Sequence, residues 1–548
     1  MNHRIIPLVM ACLGLLACSS LHKPADLIVY NAIVYTVDSA FGIAEAFAVR
    51  DGKFIGIGKN DDILTAYRAD SVIDAHGRPV YPGFYDAHSH FSGYAHTFAQ
   101  ADLTGAASFD EVIERLKRFR SVHPNASWLR GRGWDQNLWE TNVFPDREKL
   151  DKAFPDLPVY LVRVDGHAAL ANGKALEAAG IHHAFDVAGG VIEEKNGRTT
   201  GILIDNAMGY VASAINRPSA EETTELLQVA EDSCLAVGLT TVSDAGLGRA
   251  AIRLLDSLYR QDILRIRNHA MVGLSSANLD YFIERGPYIG DRFTVRSFKI
   301  LADGALGSRG ACLLEPYADA STSGFLLHHP DTLESAIARL AKSEFQVCTH
   351  AIGDSANRHI LQLYGKHLLG KNNRRWRIEH AQVIAPEDFK KFNAFSIIPS
   401  VQPTHATSDM YWAVDRLGKE RIKGAYAYKQ LLTESGMLAL GSDFPVEHIN
   451  PLYGFHAAVS RVDSRELPMG GFLPEQAISR EEALRGMTIW AAYAFFEEES
   501  SGSIELGKNA DFVILAGDIM KAPLTEVRDI AVLKTIIAGQ TVYSKDLN

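Results

Sequence analysis

Short hydrophobic runs alternate with helix-like segments through the middle of the chain. This alternation is the pattern of a parallel sheet built from βα units. Eight such runs can be recognised, which is the number that closes a (β/α)8, or TIM, barrel. They cover residues 80–90, 239–244, 266–272, 295–303, 345–350, 375–380, 395–402 and 437–443. We therefore predict an α/β fold whose TIM barrel occupies residues 81–499.

Two further strand-like runs, at residues 128–134 and 159–164, lie between the first two barrel runs. The separation of those two barrel runs is far longer than an ordinary βα connection. We assign the extra runs to an insertion after barrel strand 1, at residues 97–222. Its position predicts a lid over one end of the barrel.

Both ends of the chain contain β-branched runs interrupted by Asp-Gly and Asn, which is typical of hairpin strands. The similar style of the two ends predicts one small composite β-sandwich, formed by residues 26–80 and 500–545. Two unrelated hairpins are the alternative.

The first residues have the charge and the length of a secretory signal, with Arg4 followed by an apolar run over residues 5–17. The run is too short to span a bilayer stably. It ends in Leu15-Leu16-Ala17-Cys18, which resembles the bacterial lipobox, and Ser19 resembles the outer-membrane sorting pattern. We predict a lipoprotein signal peptide at residues 1–17 and an outer-membrane lipoprotein that faces the periplasm of the bacterial cell envelope. An ordinary cleaved signal is the alternative.

The composition is that of a soluble globular protein. Of 548 residues, 47% are hydrophobic and 22% are charged, which disfavours a disordered, collagen-like or multi-span membrane protein. The net charge of −11 and the lack of a long basic run argue against nucleic acid as a partner. We expect membrane contact only through the lipid anchor. Assembly into a homodimer is an open alternative. Cys234, Cys312 and Cys348 are predicted to be buried free thiols.

The first barrel run ends in two histidines separated by one residue. In an extended strand alternate side chains share a face, so His88 and His90 would point the same way and could hold one metal ion. Further polar residues end later runs, namely His350, His380 and Asp443. In a TIM barrel the active site lies at these carboxyl ends. Four histidines and a carboxylate are ligands suited to zinc or a similar divalent ion.

Lys299 lies within an otherwise apolar run, where burying an unpaired ammonium would be costly. This run and the strand-end residues carry a wider resemblance. The motifs are Pro82-Gly-Phe-Tyr-Asp-Ala-His-Ser-His90, Gly133-Trp-Asp-Gln-Asn137, Asp165-Gly-His167, Asp303-Gly-Ala-Leu-Gly-Ser-Arg309, Ile378-Glu-His380 and Gly441-Ser-Asp-Phe-Pro445.

With these motifs the chain resembles the amidohydrolase superfamily, and specifically amidohydrolase family 3, the branch that includes N-substituted formamide deformylase. The resemblance covers nearly the whole mature chain. It implies a β-sandwich plus (β/α)8 barrel with metal at positions matching His88, His90, Lys299, His350, His380 and Asp443. It also implies two zinc ions bridged by a carbamylated Lys299, because the matching lysine is carbamylated in binuclear members.

We therefore expect an enzyme that cleaves a non-peptide or formyl-type amide C–N bond in a small-molecule substrate. A metal-activated hydroxide would attack, and Asp443 would shuttle its proton to the leaving amine. His167, a second catalytic candidate, would hold the substrate or its developing oxyanion together with Arg309 and His405. Trp134 would wall the pocket against an apolar substituent.

Two other functions stay open at this point. One keeps the fold but uses a single metal ion, an unmodified Lys299 and a deaminase-like C–N hydrolysis. The other is a catalytically inactive, lipid-anchored binding or regulatory protein. The presence of all six ligand positions argues against the second.

Overall fold

The computed structural model describes residues 22–545 of the chain. The predicted signal peptide and Cys18 lie outside the described residues. Among residues 22–545, no helix combines the length and the apolar character needed to cross a membrane.

Eight parallel strands form the barrel sheet, and each of them overlaps one of the predicted runs. A short ninth strand, Tyr288–Ile289, pairs antiparallel with one of the eight. Ala87 donates a backbone hydrogen bond of 3.0 Å to the Leu440 carbonyl, which joins the first strand's end to the last strand. The predicted TIM barrel is therefore confirmed. From β1 to β8 the strands are Phe84–Asp86, Leu239–Leu247, Arg267–Gly273, Phe293–Leu301, Gln346–Ala351, Arg377–His380, Ile398–Val401 and Ala439–Leu440.

Strand β1 is shorter than the predicted run, because the residues before it belong to another sheet. Tyr67–Pro82 is one long strand of the terminal sheet, and β1 begins only after Gly83. His88 and His90 consequently lie in the loop that follows β1, not within an extended strand as predicted.

Helices surround the barrel strands, and their apolar positions recur at helical spacing. In Arg249–Arg260 the buried residues Ile252, Leu255 and Tyr259 lie on one face, which is why this segment packs as an amphipathic helix. The helices that follow or flank the barrel strands are Phe91–Thr97, Ala220–Ala236, Arg249–Arg260, Ser276–Arg285, Pro330–Ala341, Asp354–Leu368, Phe389–Ala394, Pro403–Asp409, Ala413–Arg421, Tyr428–Ser435, Pro451–Ser460, Arg480–Gly486, Ile489–Ala494 and Leu524–Val527.

Between β1 and β2 the chain builds a separate six-stranded sheet. This sheet has its own hydrophobic core, to which Trp134 and Trp139 belong. Its strands are Ala101–Asp102, Leu129–Trp134, Val159–Arg163, Ala168–Ala171, Gly190–Lys195 and Arg198–Asp205, and its helices are Phe109–Val122, Glu148–Ala153, Gly173–Ala178 and Met208–Ala212.

Strands from both ends of the chain share one eight-stranded sheet, in which Phe512 pairs with Pro82. Its core joins the two ends, since the ring centroids of Phe47 and Phe512 are 4.9 Å apart. The strands are Lys23–Tyr35, Ile43–Ala44, Ala46–Arg50, Lys53–Gly58, Tyr67–Pro82, Phe512–Leu515, Val532–Ile537 and Gln540–Ser544, and the helix Asn60–Ala66 lies between the last two of the N-terminal group. The division of the chain into domains stays a prediction.

The three predicted cysteine thiols are free in the described chain. Cys234 and Cys348 are buried, whereas Cys312 is half-buried.

Candidate active site

A cavity of about 900 Å³ opens at the carboxyl ends of the barrel strands. His350, His380 and Asp443 line it from the barrel, and Arg132 and His167 line it from the insertion. The predicted insertion therefore contributes side chains to the same space as the barrel loops.

Three buried side chains form a compact ligand group at this cavity. One ligand atom each from His88, His380 and Asp443 lies within 4.8 Å of the other two. The imidazole rings of His88 and His380 have centroids 4.9 Å apart. Two imidazoles and a carboxylate at this spacing are a donor set suited to a divalent metal ion.

His88, His90 and His380 all direct the same ring nitrogen, Nε2, toward this ligand group. In His88, His90 and His380 the Nδ1 atom is hydrogen-bonded within the protein, so each ring would offer its Nε2 to a metal ion. The Nε2 of His88 also lies within hydrogen-bond distance of Lys299 Nζ. The Nδ1 partners are Glu379 Oε2 at 2.5 Å for His88, the Ala245 carbonyl at 3.1 Å for His90 and Gln402 Oε1 at 2.7 Å for His380.

Asp443 faces these nitrogens with one carboxylate oxygen. Its buried Oδ1 lies 3.3 Å from His90 Nε2 and 3.6 Å from His88 Nε2, and no group other than these imidazoles lies in position to donate a hydrogen bond to it. Burial raises the pKa of Asp443, but the neighbouring histidines outweigh burial and hold the pKa well below its usual range. An ionised carboxylate whose buried oxygen faces only imidazole nitrogens fits a bound cation.

Lys299 and His350 are the other two predicted metal ligands. The structure places both beside the four ligands described above. The Lys299 Nζ lies 3.0 Å from His88 Nε2, and the side chain is buried. The His350 ring centroid is 4.6 Å from that of His380. Burial lowers the pKa of Lys299 even though Glu379 and Asp443 act in the opposite direction.

His167 reaches the site from the insertion, where Asp205 holds it. The His167 Nδ1 and Asp205 Oδ1 are 2.6 Å apart, and the His167 ring lies 5.0 Å from the His350 ring. Burial lowers the pKa of His167, but the hydrogen bond and charge of Asp205 reverse the shift and raise it. Sequence reasoning missed Asp205, although it ends an apolar strand as the barrel ligands do.

The three predicted substrate-binding residues have different outcomes. His405 lines the cavity, and its Nε2 lies 3.9 Å from Asp443 Oδ2. Arg309 is not among the lining residues, because it is engaged in an ion pair of 2.9 Å with Asp319. Trp134 is also absent from the lining: it is only 1% exposed and packs in the insertion's core. The structure therefore corrects the expectation that Arg309 and Trp134 contact substrate.

Comparison with known proteins assigns the chain to a family. The model of the amidohydrolase family matches residues 71–543. This chain belongs to the amidohydrolase family.

The amidohydrolase has relatives of nearly its own length. It is 34% identical to the YtcJ protein of Bacillus subtilis (strain 168) over 94% of this chain and 99% of that one. It is 27% identical to N-substituted formamide deformylase of Arthrobacter pascens over 95% of this chain and 98% of that one. Among solved structures, it resembles a metal-dependent hydrolase from Pyrococcus horikoshii OT3, with 28% identity and a TM-score of 0.74. That match covers 91% of this chain and 99% of the other.

Proposed function

We propose that this amidohydrolase cleaves a non-peptide or formyl-type amide C–N bond in a small molecule. The observation that carries the proposal is the group formed by His88, His380 and Asp443, whose ligand atoms lie within 4.8 Å of one another beside a cavity. The name of the formamide deformylase relative supports formamides as the first substrates to test.

The residues around this group have separate tasks in the proposed reaction. A divalent ion, when bound, supplies a water of lowered pKa and polarises the carbonyl oxygen. Asp443 would take the proton of the attacking water and pass it to the leaving nitrogen. With its Nδ1 held by Asp205 and its pKa raised, His167 donates from Nε2 to the carbonyl oxygen.

Lys299 is proposed to be carbamylated and to hold two zinc ions together with the histidines and Asp443. Burial lowers the Lys299 pKa, which favours the neutral amine. The neutral amine attacks the carbon of carbon dioxide, so that an N–C bond forms and the π electrons of one C=O bond move to oxygen. One proton leaves the nitrogen, and the product is a carbamate with an anionic oxygen that can ligate a metal ion. Unmodified Lys299 with a single ion is the alternative.

Metal reconstitution combined with a substrate panel tests the function. Metal-depleted protein should be inactive, and zinc or manganese should restore hydrolysis of at least one N-substituted formamide, amide or cyclic urea. Asp443→Asn should lower kcat by about 1000-fold or more, since the proton acceptor is lost. Asp415→Asn, on the exposed face of helix Ala413–Arg421, is the matched control and should retain activity. Inactivity of the metal-loaded protein on the whole panel would favour a binding or regulatory role.

The site of action is a proposal based on residues 15–19 alone. We propose that Cys18 carries lipid and anchors the enzyme to the outer membrane, facing the periplasm. Full-length protein should fractionate with membranes and incorporate labelled fatty acid, and Cys18→Ala should abolish the labelling. Labelling that persists in Cys18→Ala would contradict the anchor.

A further inference from the structure

Arg132 is a cavity-lining arginine that the protein itself leaves mostly unpaired. Its Nη2 donates one hydrogen bond of 3.1 Å to the Val164 carbonyl, and its buried Nε has no partner. Among the described residues, no carboxylate comes within 4.0 Å of its guanidinium. Since a guanidinium carries five N–H donors and stays charged at neutral pH, most of its donors remain available.

A break in the strand directs Arg132 to the cavity. In a regular strand Arg132 and Trp134 would point to the same side. The pairing of strands Leu129–Trp134 and Val159–Arg163 shifts register between these two residues, where Gly133 has a φ of 108°. This bulge leaves Arg132 at the cavity and turns Trp134 into the insertion's core. A Cβ at Gly133 would lie 2.4 Å from Thr104 Oγ1, so only glycine fits there.

The acidic residues nearest in sequence are already engaged with another arginine. Arg163 is fully buried, and it donates to Asp165 at 2.5 Å and to Asp135. Asp165 also accepts the His167 backbone N–H. These carboxylates are therefore paired with Arg163. The charges of Asp443 and Asp165 act on Arg132, but neither carboxylate forms an ion pair with it.

Part of the lining of the same cavity is apolar. Phe98 and Leu138 line it while remaining 41% and 54% exposed, and Leu306 and Trp412 line it from the barrel loops. Large exposed apolar side chains in a cavity are typical of a surface that binds an apolar ligand group.

We infer that Arg132 binds a carboxylate of the substrate, so that the enzyme acts on N-formylated or N-acylated amino acids with an apolar side chain. A guanidinium and a carboxylate form a charge-assisted, bidentate pair. The amide would then lie toward His380 and Asp443, and the side chain against the apolar wall. This inference rests on the proposed hydrolase function.

A pair of substrates that differ only in the carboxylate tests the inference. N-formyl-phenylalanine and N-formyl-phenethylamine are compared on the metal-loaded enzyme. We expect kcat/KM to favour the carboxylate by about 10-fold or more, and Arg132→Gln to reduce that preference by about 10-fold. Arg132→Lys should keep part of it.

Arg130→Gln is the matched control. Arg130 lies on the same strand two residues away but does not line the cavity, so the preference should stay at the wild-type value. Equal kcat/KM for both substrates in the wild type would overturn the inference. So would an equal loss on both substrates in Arg132→Gln, which would place Arg132 on the scissile carbonyl.

A binding measurement separates this inference from the hydrolase proposal. Calorimetry with 3-phenylpropanoate should give a Kd that is about 10- to 100-fold weaker in Arg132→Gln than in the wild type. An unchanged Kd would overturn the carboxylate site. Arg132-dependent binding in a protein that hydrolyses neither formamide would support the carboxylate site while the hydrolase proposal fails.

Discussion

The Nζ atom of Lys299 lies 3.0 Å from Nε2 of His88, the ring nitrogen on the side of the metal-ligand group, within hydrogen-bond distance. An ammonium at this position would repel a divalent cation held by His88. A carbamate at the same position would instead attract one. We therefore predict that the chemical state of Lys299 determines how many ions the site holds.

Metal content should depend on bicarbonate through Lys299. We expect the wild type to rise from about one zinc ion per chain to about two when bicarbonate is supplied, as in a bridged pair. Lys299→Met should stay at about one under both conditions, and the exposed Lys419→Met should behave as the wild type does. Atomic absorption on desalted protein gives the count. If the zinc content of the wild type does not change when bicarbonate is supplied, the single-metal alternative is favoured.

Glu379 should control metal affinity without contacting the ion. Its Oε2 lies 2.5 Å from His88 Nδ1, and it accepts two hydrogen bonds of 2.7 Å from the fully buried Arg377. Glu379→Gln should weaken zinc affinity by about 10- to 100-fold, because the neutral amide holds His88 less firmly. Competition with a chromophoric chelator measures this. Wild-type affinity in Glu379→Gln would contradict the role.

The same substitution should also lower stability, since it leaves the Arg377 guanidinium without an ionised partner. Removing one member of a buried ion pair costs about 3–5 kcal/mol. Glu420→Gln is the control, because its ion pair with Lys423 is exposed and should contribute less than about 1 kcal/mol.

Strand-end residues could be predicted from the sequence wherever the strand itself was clear. His350 and His380 lie within or at the end of β5 and β6, as the apolar runs before them indicated. His88 and His90 lie beyond β1, because Tyr67–Pro82 pairs with the terminal sheet and shortens the barrel strand. A local run of apolar residues does not specify which sheet it joins.

Side-chain contacts in the insertion and in the loop after β4 could not be predicted, since they depend on tertiary packing. The motif tryptophan Trp134 was expected at the pocket, but the bulge at Gly133 turns it into the core and leaves Arg132 at the cavity. Arg309 follows a strand end in sequence, yet its partner Asp319 lies ten residues further along the same loop. Residue type and spacing alone do not reveal either relationship.

Two glycines in the barrel loop after β4 should position His167 through Asp205. A Cβ at Gly304 or Gly310 would lie 2.3 or 2.4 Å from Asp205 Oδ2, the carboxylate that holds His167. Gly304→Ala should displace Asp205 and lower kcat by about 10- to 100-fold while metal content is unchanged. Steady-state kinetics and metal analysis on the same sample measure both quantities.

Gly209→Ala is the matched control for Gly304→Ala within the insertion. Gly209 lies in helix Met208–Ala212, and a Cβ there would meet no atom within 4 Å. We expect unchanged kcat and a stability gain of up to about 1 kcal/mol. A normal kcat in Gly304→Ala would show that the position of Asp205 is not needed.

Asp409 should make stability fall as pH rises. Burial raises its pKa to about 7, while His405 and the Tyr426 hydrogen bond oppose the shift and Glu447 and Asp135 reinforce it. The folded state then holds a proton that the unfolded chain, with an Asp pKa of about 3.9, has released. The stabilisation is complete below about pH 4 and is lost as pH rises to about 7.

Asp409→Asn keeps a neutral side chain of the same shape and cannot lose this proton. Between pH 5 and 8 the unfolding free energy of the wild type should therefore fall by about 1–3 kcal/mol relative to Asp409→Asn. Chemical denaturation of both proteins across this range measures the difference, and parallel curves would contradict the raised pKa.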